Sequence, residues 1–165
     1  MALSQSAAIW LLIVAFPISV YVMISDLRSM RIPNLAVLAL MLGFGIVGFF
    51  VFDLVQYLWQ WTHFVVVLAV CVALYALKVL GAGDAKFTAA AAPFFMTADL
   101  GMVLFLFPAC IFGGFFAHRI AKNSPLQRLA PEWESWKDKQ RFPMGFPLGL
   151  TLIFYLAIAA FGSGA

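Results

Sequence analysis

The chain has 165 residues, of which 65% are hydrophobic and only 10% charged, with a net charge of +3 and a mean hydropathy of +1.03. A soluble domain carries about a quarter charged residues. This composition therefore excludes a water-soluble globule and indicates a single integral membrane domain over 1–165, all-α and polytopic.

A helix needs about 20 apolar residues to cross about 30 Å of hydrocarbon, and the alternation that marks a membrane barrel is absent. Residues 7–25 (AAIWLLIVAFPISVYVMIS) form the first expected span. No basic stretch precedes it and no small-x-small cleavage pattern closes it. It reads as a retained helix, not a signal peptide. "DLRSMRIPN" at 26–34 follows, with Asp26 and Arg28 at the span's end. Pro33 and Asn34 read as the stop and N-cap that begin the second span, 35–52.

The third expected span is 62–80, followed by "GAGDAKF" at 81–87, which holds Gly81, Gly83, Asp84 and Lys86. Gly81 and Gly83 are expected to let the backbone leave helical geometry and another chain approach Asp84. Such backbone is tolerated where it lines a wet cavity inside the bundle. Residues 86–98 form a short fourth span. There Ala89 to Ala92 lack side-chain bulk and suit a position inside the bundle. If 86–98 only dips into the membrane, the count falls from six spans to five. The fifth span, 100–118, repeats small residues at Ala109, Gly113 and Ala117, a spacing that suits tight helix packing.

The longest non-spanning stretch is 119–143. In "PEWESWKDKQRF", Pro131 can start a helix, with acids early and bases late to complement its dipole. Trp133 and Trp136 share one face and suit the headgroup level, so a surface-lying helix is expected; a helix that contacts substrate is the alternative. The sixth span is 144–161. Cys71 and Cys110 lie in spans with no CxxC pair and read as inert thiols. His63 and His118 sit at span ends as interfacial residues. No metal site, cofactor or internal repeat is implied.

Loops 26–34, 78–86 and 119–143 contain all ten basic residues: Arg28, Arg31, Lys78, Lys86, Arg119, Lys122, Arg128, Lys137, Lys139 and Arg141. The opposite loops, near 53–61 and 97–100, contain Asp53 and Asp99 and no cation. The positive-inside rule places the basic loops in the cytoplasm and both termini outside. This asymmetry accounts for the positive charge without a nucleic-acid partner.

That topology puts Asp26 and Asp84 at one depth, on the cytoplasmic edge. Two carboxylates that meet cannot both ionise readily, so one keeps a proton while the other acts as base. Such a pair can activate a water against a peptide carbonyl and protonate the leaving nitrogen. Alone, Asp26 reads as an interfacial charge beside Arg28, and GAGD as a tight turn; it is their conjunction on one side that points to chemistry. Lys86 and Arg28 could orient a substrate carbonyl or lower the pKa of the neighbouring aspartate, or simply anchor their loops.

In "DLRSMRIPN" at 26–34, "GAGDAKF" at 81–87 and "FPMGFPLGL" at 142–150, the chain resembles the type IV prepilin peptidases, membrane aspartic proteases with a GxGD motif. It is most similar to the short forms of Tad/Flp pilus systems. The resemblance implies a bacterial inner-membrane enzyme whose catalytic pair is Asp26 and Asp84. Such an enzyme cuts the short basic leader of a prepilin just after a glycine, at the cytoplasmic face. Glu132, Glu134 and Asp138 are candidate leader contacts. The cysteine-rich segment of the long bifunctional members is absent, so protease activity without methyl transfer is expected. Archaeal preflagellin peptidases share the aspartate motifs, which leaves another pilin-like filament protein open as substrate. Two rivals use the same residues: a transporter relaying protons or cations through the two acids, and a non-catalytic subunit of a pilus or secretion assembly.

Overall fold

A computed structural model describes residues 1–125, 130–137 and 142–162. The helices are α1 (Gln5–Ser29), α2 (Asn34–Val51), α3 (Leu54–Ala76), α4 (Ala82–Ala91), α5 (Leu100–Lys122), α6 (Glu134–Lys137) and α7 (Gly145–Phe161). Short 3-10 turns at Ala92–Phe94 and Thr97–Asp99 join α4 to α5. Among the described residues there is no strand. Four helical stretches, α1, α2, α3 and Thr97–Lys122, are long and apolar enough to cross a membrane, and α7 is a shorter apolar helix. The chain is a multi-pass membrane protein.

The core follows from spacing. On α1, Leu11, Ala15, Ser19, Val22 and Asp26 recur every three or four residues and are all buried, so they form one stripe along the helix. That stripe packs on α7. At Gly149 the two helices approach so closely that an added β-carbon would lie 3.1 Å from the Ser19 carbonyl oxygen and 2.7 Å from Met23 Cγ. The outer sides carry exposed large apolar residues, among them Ile13, Leu42, Ile46, Val66 and Phe105, the surface expected where lipid replaces water as solvent.

Two expected spans are corrected. The third helix begins at Leu54 instead of residue 62 and ends at Ala76 instead of 80. The Asp53 carboxylate caps it by accepting the Gln56 N–H at 2.8 Å. The first turns include Gln56 and Gln60, whose polarity hides the helix in a hydropathy reading. Gln60 is wholly buried and donates to the Phe95 carbonyl at 3.5 Å and the Met96 sulfur at 2.9 Å. The expected loop 53–61 is thus mostly helix. The fourth helix begins at Ala82, before Asp84, and ends at Ala91, because Pro93 cannot continue it. Its interior position agrees with the alanine run: Phe87, Ala89, Ala90 and Phe94 are fully buried.

The small residues of α5 do not pack as expected. Ala109, Gly113 and Ala117 are exposed, and the face turned to α7 carries the buried Cys110 and Gly114. Gly114 lies against Phe146 and Phe142. At the tryptophans the described helix is Glu134–Lys137, with Trp136 buried, and residues 138–141 of the expected surface helix lie outside the described residues. Trp136 stacks between His118 (centroids 4.7 Å apart) and Trp133 (5.6 Å), and its indole N–H donates to the Ala130 carbonyl at 2.9 Å. His118 is therefore packed against Trp136, not simply interfacial. His63 shares a 2.9 Å hydrogen bond with the Thr97 hydroxyl. Arg128, Asp138, Lys139 and Arg141 lie outside the described residues.

Asp99, expected in an outer loop, is buried at the end of the bundle opposite Asp26. It accepts the Ala2 N–H through both oxygens at 3.0 Å and the Tyr155 hydroxyl at 3.0 Å. Tyr155 in turn accepts the Met96 N–H at 3.1 Å. Asp26 near the end of α1 meets Gly145 at the start of α7, and Ala2, just before α1, is joined through Asp99 to Tyr155 in the later half of α7, so α1 and α7 run antiparallel.

Candidate active site

Asp26 ends the buried stripe of α1 and is only 5% exposed. The Gly145 N–H donates to its Oδ2 at 2.7 Å. Gly145 is the first residue of α7, where backbone N–H groups have no partner inside the helix and the dipole favours negative charge. Glycine gives room for this approach, because a β-carbon there would lie 3.0 Å from both Asp26 Cβ and Oδ2, and the Asp26 side chain would have to shift.

Asp84 sits in the first turn of α4. Gly81 is the N-cap in ordinary extended backbone, Gly83 is helical, and no described glycine has positive φ. The backbone leaves helical geometry between α3 and α4, with Gly81 extended as expected, whereas Gly83 is helical; both glycines give space, not unusual dihedral angles. A β-carbon on Gly81 would lie 2.6 Å from Asp84 Oδ2, and one on Gly83 would lie 3.3 Å from Ile32 Cβ.

Ile32 against Gly83 brings the two sequence motifs together, and a second tie joins Lys86 Nζ to Asn34 Oδ1 at 3.1 Å. Asn34 is thus not the N-cap of α2. Pro33 holds that position without a side-chain bond, and Asn34 is the first helical residue. Lys86 is held by Asn34 and Arg28 lies exposed on the last turn of α1.

Asp26 and Asp84 line one cavity of about 1010 Å³, with Gly81 and Gly83 in the same wall. The two carboxylates are close enough for the charge of Asp84 to act on Asp26. Arg28, Pro33, Asn34 and Lys86 do not line it, nor do the exposed Glu132 and Glu134. The sequence reading missed Arg31 and Lys78, the two cations that do line it, together with Met30, Tyr75, Phe142 and Met144. Gly145 carries a sequence signal of its own, a glycine between Pro143 and Pro147 at a helix start.

Two cavity residues have unusual backbone. Met30 (φ 52°) and Lys78 (φ 60°) are the non-glycine residues of positive φ among those described. A β-carbon in that region costs about 1–2 kcal/mol. Lys78 follows the end of α3: its N–H donates to the Tyr75 carbonyl at 2.9 Å, and the next N–H, of Val79, donates to Leu74 at 3.0 Å. This is the helix-ending pattern that ordinarily places glycine where Lys78 stands.

Among the described residues no group of three or more His, Cys, Asp or Glu side chains could hold a metal ion. The arrangement can hold one proton between two carboxylates beside space for a peptide and a water. Residues 9–118, a stretch containing both aspartates, match the family model described as the type IV leader peptidase family. No curated protein and no solved structure matches the chain.

Proposed function

We propose, since the chain belongs to the type IV leader peptidase family, that this protease is an aspartic endopeptidase. It removes the short basic leader of prepilin-like proteins at the cytoplasmic face of the inner membrane. The observation that carries this reading is the cavity shared by Asp26 and Asp84, with Asp26 held by the Gly145 N–H. One carboxylate keeps a proton; the other takes a proton from water as its oxygen attacks the scissile carbonyl. The protonated carboxyl then supplies the leaving nitrogen. The pair titrates as a unit, so neither proton is assigned to one residue.

The charge pattern supports the orientation. Arg28, Arg31, Lys78 and Lys86 flank the cavity end, while Asp53 and Asp99 lie where no Lys or Arg is near in sequence. Six crossings with both termini outside fit this pattern. The α4 segment with its 3-10 turns connects the end bearing Asp84 to the end where Asp99 meets Ala2. A substrate with a basic leader and one apolar helix would present its cleavage site at that membrane edge. The substrate class favoured by the resemblance of the chain's aspartate motifs is the prepilin of a Tad/Flp-type pilus system.

The test is leader removal from a candidate small pilin in membranes containing wild-type, Asp26→Asn or Asp84→Asn protein. Wild-type should shift the pilin by the mass of its leader. Each asparagine variant should lower the rate by about 10²–10⁴-fold, the contribution of positioned acid–base groups. Cleavage surviving either change would refute the dyad.

A further inference from the structure

Two cations share the cavity of the dyad. Lys78 and Arg31, both exposed to solvent, line the same space as Asp26 and Asp84. A basic leader would be repelled by these cations, so they are unsuited to binding it. Their charge is suited to something negative that exists only during the reaction. Lys78 is the more constrained of the two. It takes left-handed backbone at the helix-ending position where glycine would be unstrained, and it begins the continuous wall from Lys78 to Asp84. Backbone strain of this kind persists where the surroundings over-determine it, and it clusters at functional sites.

We propose that Lys78 is a catalytic residue whose ammonium group stabilises the charge that develops on the scissile carbonyl oxygen. The proposal rests on the aspartic-peptidase reading. Water oxygen bonds to the carbonyl carbon and gives its proton to the ionised aspartate, while the carbonyl π pair moves onto oxygen beside Lys78. The pair then returns, the C–N bond breaks, and the nitrogen takes a proton from the aspartate that was protonated at the start. One aspartate again carries a proton and the other none. At the oxyanion stage both aspartates hold protons, so the negative charge rests on the carbonyl oxygen, where a nearby cation stabilises it.

The experiment measures kcat and KM for a pilin that wild-type protein cuts, using Lys78→Gly, Lys78→Arg and Asp84→Asn in membranes. Lys78→Gly should lower kcat by about 10²–10³-fold, the usual loss of one oxyanion donor, with KM little changed. Its melting temperature should not fall, because glycine suits the left-handed position. Lys78→Arg should recover activity to within about tenfold of wild-type, since the cation is kept. Should Lys78→Gly accumulate poorly, Lys78→Asn supplies the same comparison, as asparagine also tolerates this backbone. Wild-type kcat in the neutral variants, or a loss confined to KM, overturns the role of Lys78. If Asp84→Asn is inactive in that same experiment, the peptidase reading stands without it. If Asp84→Asn still cuts, both fall.

Discussion

At the level of single residues, the site is governed by space around two carboxylates. Gly81, Gly83 and Gly145 each stand where a β-carbon would meet a side chain of the site. Gly81→Ala would press on the mobile end of Asp84, so the carboxylate moves and the fold tolerates the change. We expect leader cleavage to fall by about 10²-fold, the effect of misplacing a reacting group by about 1 Å, with little change in melting temperature.

At the level of elements, the pairing of α1 with α7 positions Asp26. The buried stripe of α1 is legible in sequence because its spacing is that of one helix face, and Asp26 continues it. Its partner is not legible, because apolar residues recur on most sides of every span and hydropathy does not say which side meets protein. The α5 stripe shows the same limit: Gly113 has nothing near it, while its neighbour Gly114 packs on Phe146. Gly149→Ala should separate α1 from α7 and destabilise the protein by about 1–3 kcal/mol, the usual cost of overpacking. A lowered melting temperature accompanied by slower cleavage would be the expected result, since Gly145 rides on the same helix.

At the level of the whole molecule, the two ends of the bundle carry different polar clusters. Asp99, Tyr155, Ala2 and Met96 tie the end remote from the cavity. Tyr155→Phe leaves a buried carboxylate without its hydroxyl donor and should cost about 1–3 kcal/mol. The cleavage rate well below the melting transition should stay at the wild-type value. The proposed orientation predicts that a cysteine introduced at Asp53 reacts with an impermeant thiol reagent added outside intact cells, and one at Lys122 does not. The opposite labelling pattern would invert the topology.

Several properties were determined by sequence alone. The membrane class, the helical architecture, the family and the two aspartates follow from composition, local spacing and short motifs, all of which are local along the chain. Only the tertiary structure decided which cations line the cavity of the carboxylates. Lys86 and Arg28 are the nearest in sequence, but Lys86 bonds Asn34 and neither lines the cavity, whereas Arg31 and Lys78 do. It also decided that the α7 N-terminus supplies the Gly145 N–H to Asp26, and that Gly81 and Gly83 make room at the start of α4. Each of these depends on how one helix end meets another. Helix ends meet through side-chain volume and backbone direction, which no pattern along a single helix records.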